Sequence, residues 1–211
     1  MKKNTLKDPY RPKLLTTLND FTQSDDDKYK AYTIYFYDIK LADTTYREFD
    51  GCHFEKVILN ENFDGANFID CLFTHCDLSN SSLKGSQFHR VTFNGCKGIG
   101  STFLKSSLSY VRFNECRFTL SNFSECTFNH IEMMNSVFTN CSFTYNQLKS
   151  FNTLNIDFSQ SDFTNTSLKN CDFSSNQLND ISISLDKLDD LTLNPTQAIG
   201  FAQLLGIKIK D

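Results

Sequence analysis

Every fifth residue from Phe63 to Leu193 belongs to an almost unbroken apolar series. Of 27 such positions, 25 are Phe, Leu, Met or Ile, and fifteen are Phe; Gly98 and Thr153 are the exceptions. Phe49, Phe54 and Leu59 continue the series upstream after a one-residue slip before Phe63, with Ile34 and Ile39 as weaker members. A period of five fits neither regular element. On an α-helix five residues advance about 500°, so each apolar residue would rotate roughly 140° from the last. On a flat strand an odd spacing flips the face at every repeat. The apolar residues share one interior only if the chain turns once per repeat, closes a ring and stacks on itself. That is a solenoid, with coils joined at the strand spacing of about 4.8 Å.

If residue i points inward, so does residue i−2. Those positions read Ala66, Cys71, Cys76, Ser81, Ser86, Val91, Cys96, Ser101, Ser106, Val111, Cys116, Ser121 and Cys126. They are small, as a tube already filled with Phe requires. Phe151 at an i−2 site is matched by Thr153 at the adjacent i site, a large-for-small exchange that conserves local volume. Asn146 and Asn176 become inward amides that need hydrogen-bond partners.

Cys171-Asp172-Phe173-Ser174-Ser175 and Cys76-Asp77-Leu78-Ser79-Asn80 resemble the A-(D/N)-(L/F)-x-x unit of the pentapeptide repeat family, and the resemblance spans about three quarters of the chain. It implies an all-β fold, a right-handed quadrilateral parallel β-helix with four pentapeptides per coil. Residues 34–193 then form about eight coils, a rod roughly 38 Å long. The expected organisation is an N-terminal cap over 1–33, the β-helix over 34–193 and a C-terminal helix and dimerisation segment over 194–211.

The ends depart from the lattice. Leu14, Leu15, Leu18 and Phe21 have the 3-4-7 spacing of an amphipathic helix face, which predicts a helical cap within Pro9–Lys30. Near the other end Asn194 suits an N-cap, Pro195 the first helical position and Gly206 the helix stop. Ile199, Phe201, Ala202, Leu204 and Leu205 carry more apolar surface than one capping contact needs, and Ile207-Lys208-Ile209-Lys210 alternates like a strand.

The eight cysteines do not form a disulfide or zinc framework, because all fall at i−2 and no C-x-x-C pair occurs. His53, His75, His89 and His130 occupy scattered outward positions, so no metal site converges. Gly95, Gly98 and Gly100 lack the helix that a phosphate loop needs, and Gly98 reads as an i site left empty. A solid Phe core leaves no substrate cleft, so catalysis, cofactor and small-molecule substrate are not expected. The net charge is −4, and basic residues are interspersed with acids rather than striped, which argues against direct nucleic-acid binding. No 18-residue apolar run or signal-peptide core occurs, so a cytoplasmic, non-membrane protein is expected.

A pentapeptide rod ending in Gln197-Ala198…Leu204-Leu205-Gly206-Ile207 is similar to the Qnr and MfpA quinolone-resistance group. It looks like a loop-free, Gram-positive chromosomal type, since the lattice runs unbroken from Phe63 to Leu193. The resemblance implies a homodimer joined through its C-terminus, with Phe201, Leu204, Leu205 and Ile207 as interface candidates. It also implies a DNA mimic that binds DNA gyrase or topoisomerase IV, inhibits it and protects it from fluoroquinolones. Affinity would then come from acids distributed along the rod, with Asp157, Asp162 and Asp172 as candidate partner-binding residues. The other open reading is a pentapeptide-repeat structural or interaction protein with no topoisomerase partner.

Overall fold

A computed structural model of the chain describes residues 16–18, 28–30, 32–35, 47–59, 62–204 and 206–209. Its strands are β1 (Thr16–Leu18), β2 (Lys28–Lys30), β3 (Tyr32–Tyr35), β4 (Glu48–Asp50), β5 (His53–Glu55), β6 (Asn67–Ile69), β7 (Leu72–Thr74), β8 (Gln87–His89), β9 (Thr92–Asn94), β10 (Ser107–Asn114), β11 (Thr127–Met134) and β12 (Gln147–Leu154). Among the described residues one α-helix, α1 (Pro195–Leu204), follows a 3-10 turn at Leu185–Lys187. All pairing is parallel, and each partner lies one coil away: Phe68↔Phe88, Phe88↔Leu108, Leu108↔Phe128 and Phe128↔Leu148 are steps of twenty residues. This is the parallel β-solenoid that the five-residue period requires.

Each coil has four sides. Face 1 carries the Phe68 and Phe88 column, face 2 Phe73 and Phe93, face 3 Phe118 and Phe138, and face 4 Phe103 and Phe123. Faces 1 and 2 are built from β4 to β12, whereas faces 3 and 4 are joined by single bridges such as Lys97↔Arg117 and Thr102↔Asn122. The slip is visible in the register. Phe49↔Phe68 and Ile58↔Asp77 are nineteen apart, while Asn62↔Ser82 is twenty apart, so the short side lies between Ile58 and Asn62.

The core is a stack of rings. Phe54–Phe73, Phe73–Phe93 and Phe93–Phe113 lie nearly parallel at 4.5, 4.8 and 4.9 Å on face 2. Phe103–Phe123, Phe123–Phe143 and Phe143–Phe163 do so at 4.6, 5.2 and 4.9 Å on face 4. The i−2 residues are buried beside them, and their hydroxyls and thiols donate to carbonyls of the preceding coil, as Ser86 Oγ does to Phe63 O (2.8 Å) and Cys71 Sγ to Phe49 O (3.2 Å). Both inward asparagines accept a backbone N–H through Oδ1, from Cys126 and Ile156 respectively. Asn176 Nδ2 donates to Thr153 Oγ1 (2.7 Å), whereas Asn146 Nδ2 has no partner.

The corners use a conformation that the apolar pattern does not announce. Every fifth residue from Asp70 to Asn170 has a left-handed φ, including bulky Tyr110, Leu120 and Tyr145. A left-handed residue at i+2 turns the chain by one side of the square, and on faces 3 and 4 the turn closes with an N–H to C=O bond such as Ser81 N to Leu78 O (3.1 Å). Outward Asp and Asn at i−1 brace the same turns. Asp77 and Asn122 each accept a bond from the backbone N–H two residues on, at 2.9 Å.

Three expectations need correction. The N-terminal helix is absent at the described positions: Thr16–Leu18 is a strand paired in parallel with β3, and Lys28–Lys30 is a strand paired with β4. Leu14, Leu15 and Phe21 lie outside the described residues. Backbone pairing between coils outweighs the local helical spacing, and β3 extends the solenoid register through Ile34↔Phe54. The i site at Gly98 is not empty, since a Cβ there would overlap the Phe118 ring reaching up from the next coil. Ile207–Ile209 is not a strand, because it follows directly from the helix stop.

Removing Phe123, fully buried between Phe103 and Phe143, is expected to cost about 3–5 kcal/mol as Phe123→Ala in denaturant melts. Asn122→Ala removes one turn bond and should cost about 1 kcal/mol. Equal losses would contradict the inward register.

Candidate functional site

With the interior filled, chemistry and recognition are confined to the outer faces and the C-terminal end. The outer side chains stack in columns one coil apart, so charges meet partners twenty residues away. Arg90–Asp70 (2.6 Å), Lys97–Asp77 (3.1 Å), Arg112–Glu132 (3.0 Å), Lys105–Glu125 (3.5 Å) and Lys169–Asp189 (3.9 Å) all follow this rule. The central column of face 3 shows the mixture: Asp77, Lys97, Arg117, Val137, Asp157, Gln177. The acids do not form a stripe running the length of the rod.

They concentrate instead at one end. Residues 47–154 contain ten acids and nine Lys or Arg, whereas residues 155–209 contain seven acids and three Lys. The three candidate acids lie on three different faces of these last coils. Asp157 Oδ1 accepts Ser159 N (2.9 Å), Asp162 Oδ1 accepts Thr164 N (2.8 Å), and Asp172 Oδ1 accepts Ser174 N (3.0 Å) and the Ser174 hydroxyl (2.6 Å). Each therefore braces its turn through Oδ1, and none pairs with a Lys or Arg among the described residues. The Ser174 hydroxyl and amide hold Asp172 below the usual carboxylate range.

The C-terminal end is closed by a hydrogen-bonded helical cap. Asn194 and Gln197 form a reciprocal capping box: Gln197 N donates to Asn194 Oδ1 (3.0 Å), and Asn194 N donates to Gln197 Oε1 (2.7 Å). Gln197 Nε2 also donates to Phe173 O (2.8 Å), which accepts the Asn176 N–H as well, and to Asn176 O (2.7 Å), both carbonyls at the last turn of the solenoid. Gly206 has φ +76°, and bonds from Gly206 N to Gln203 O and from Ile207 N to Ala202 O close a Schellman stop. Phe201 packs against the core, while Leu204 and Ile207 are 54% and 53% exposed; Leu205 lies outside the described residues. Ile199, Leu185 and Ile209 are similarly exposed, and Leu204 borders a shallow groove of about 270 Å³ with Ile181, Ile183 and Leu185.

The remaining polar features are structural. Tyr110 stacks on His130 at 4.7 Å, with His89 edge-on to Tyr110 at 5.9 Å. His53 Nε2 meets Thr74 Oγ1 at 3.1 Å. Among the described residues no cluster of three or more His, Cys, Asp or Glu could hold a metal, and no helix is long and apolar enough to cross a membrane.

The family description "Pentapeptide repeat region" matches residues 47–123, and "Pentapeptide repeats (8 copies)" matches 116–150, 141–175 and 155–181. The chain belongs to the pentapeptide repeat proteins. A search of curated protein sequences finds no match. Among solved structures, a trypsin-treated variant of QnrB1, a plasmid-mediated fluoroquinolone resistance protein, is 18% identical over 87% of this chain and 92% of that chain, with a TM-score of 0.46. Rfr23 from the cyanobacterium Cyanothece 51142 is 14% identical over 70% and 91%, with a TM-score of 0.38. HetL from Nostoc sp. strain PCC 7120, a protein involved in heterocyst differentiation regulation, is 9% identical over 78% and 84%, with a TM-score of 0.31.

All eight cysteines are free and buried. Burial pushes the thiols of Cys126 and Cys141 up to about 12 and that of Cys171 up to about 11. A thiol reagent at pH 8 should label the native protein far more slowly than the urea-unfolded chain, with reductant changing neither rate. Rapid labelling of most native thiols would contradict their inward placement.

Proposed function

We propose that the protein is a non-catalytic binding rod whose partner is a type II topoisomerase, DNA gyrase or topoisomerase IV. On this reading it occupies the DNA-binding surface of the enzyme, inhibits it and protects it from fluoroquinolones. The charge imbalance of the last coils carries the proposal. Three turn-braced carboxylates at Asp157, Asp162 and Asp172 stand on separate faces of a narrow rod, without ion-pair partners among the described residues, so they present locally fixed negative charge to a surface built for phosphate. The opposite charges paired along the body leave little net field there. This moves the expected contact from the whole rod to its C-terminal coils.

The exposed apolar residues of the same end support a homodimer. Leu204, Ile207 and the groove beside Leu185 offer a self-complementary patch, and a two-fold axis there would bring two acid-rich ends together. Leu204→Glu with Ile207→Glu is expected to convert a dimer to a monomer by light scattering without lowering the melting temperature. A variant that remains dimeric would rule this interface out.

The functional test is supercoiling and ciprofloxacin-induced cleavage by gyrase and by topoisomerase IV, with and without micromolar protein. Inhibition or protection should weaken as salt rises, because charges are screened over about 8 Å at physiological ionic strength. The triple substitution Asp157→Asn, Asp162→Asn and Asp172→Asn keeps the Oδ1 acceptor that braces each turn and removes only charge. It should weaken the effect while leaving the melt unchanged. No effect of the wild-type rod on either enzyme would leave the interaction-protein reading with another partner.

A further inference from the structure

Among the described residues the ladder between coils breaks most completely at one level, on two faces out of four. On face 3 the bridges Val137↔Asp157↔Gln177 continue through this level, and on face 4 Ser142↔Asp162↔Ser182 do the same. On faces 1 and 2, β12 pairs with β11 on one side and with no strand on the other among the described residues. Elsewhere an outward amide bonds back to the preceding coil, as Arg112 N does to Val91 O (3.0 Å) and Gln147 N to Cys126 O (3.0 Å). The equivalent bonds from Ser167 N to Asn146 O and from Asp172 N to Phe151 O are not formed. Side chains span part of the gap instead: Thr153 Oγ1 donates to Asp172 O (3.2 Å), and Asn155 N donates to Ser175 Oγ (3.4 Å).

The core is also weaker on these two faces, where ring-on-ring stacking has already ended at Phe88 on face 1 and Phe113 on face 2. Faces 3 and 4 carry aromatic columns through this level, with Phe138–Phe158 at 6.2 Å and Phe143–Phe163 at 4.9 Å. Faces 1 and 2 place Leu148 over Leu168 and Thr153 over Phe173, so no ring stack crosses there. Leu148 and Thr153 are the two i positions between Phe63 and Phe173 that are incompletely buried. Asn146, in the same coil and 6% exposed, keeps a buried Nδ2 without a partner. The ring of this side of the coil sits instead at Phe151, edge-on to Phe128 at 5.6 Å.

We propose that this level is a hinge. The rod bends by opening on faces 1 and 2, pivots on the ladders and aromatic columns of faces 3 and 4, and swings the acid-rich C-terminal coils relative to the body. Backbone bonds hold neighbouring coils together, and here half of the ladder is missing on faces where no ring stack replaces it, so among the described coils this level opens most readily. The Phe151 and Thr153 exchange is its cause: it keeps the interior volume but leaves no ring at position 153 to stack on Phe173 in the next coil.

Amide exchange and spin-label distances on the full-length protein test this. The amides of Leu148, Ser150 and Thr153 should exchange at least tenfold faster than those of Phe128, His130 and Met133, their counterparts one coil earlier. Equal protection would overturn the hinge. A spin-label pair at Ser109→Cys and Asp189→Cys spans the level over four coils of face 1. A pair at Ile69→Cys and Lys149→Cys spans four coils without crossing it. The first pair should give the broader distance distribution, extended to longer values; distributions of equal width would show a rigid rod and overturn the proposal. Adding Phe151→Val with Thr153→Phe, which restores a large i and a small i−2 residue, should narrow the spanning pair to the control width. A folded variant that stays broad would overturn the assigned cause.

Discussion

The interior of the tube accepts one large and one small side chain per five-residue side, and the rest of the structure follows from that limit. Phe rings one coil apart lie face to face at 4.5–5.5 Å where they stack, close to the spacing of the backbone ladder that carries them. The neighbouring i−2 site has room for Ala, Ser, Cys or Val, whose polar atoms are satisfied by carbonyls already present. The cysteines are thus one of several answers to a volume problem rather than a redox device. Gly98 obeys the same limit, since Phe118 takes the space its side chain would need.

Because the inside is closed, the outside is free to vary, and it does so within a geometric rule. Each outward residue has neighbours twenty positions before and after it, so charge pairing follows columns rather than local sequence. The ion pairs of the body neutralise it column by column, whereas the last coils have too few Lys to do so. The rigid left-handed corners then hold the unpaired carboxylates at fixed spacings, which is why the acid-rich end is the more favourable place for a positively charged partner surface.

Much of this was legible in the apolar spacing alone. The inward lattice, the slip before Phe63, the buried cysteines and the Asn194-to-Gly206 cap all depend on local sequence or on a strict period. The N-terminal strand at Thr16–Leu18 was not legible, because Leu14, Leu15, Leu18 and Phe21 match a helix face while their fate depends on pairing with residues sixteen positions later. The left-handed corners were hidden by ordinary residues such as Lys105, Tyr110 and Leu120, where a Gly or Asn would have signalled the turn. The filling of the Gly98 site and the pairing of body charges are contacts across twenty residues, visible only once the coil length is known. Of the candidate acids, the outward placement was legible; the turn bonds that hold them depend on the corner geometry.

The volume limit can be tested by copying the natural exchange to another level. Val111 and Phe113 are both fully buried on face 2. Val111→Phe alone overfills the tube and should cost about 1–3 kcal/mol, and Phe113→Thr alone leaves a cavity and should cost about 3–5 kcal/mol. In denaturant melts the double variant should lose well under the sum, with a favourable coupling of roughly 2 kcal/mol. Losses that simply add would contradict the claim that the two inward sites of each side share a single fixed volume.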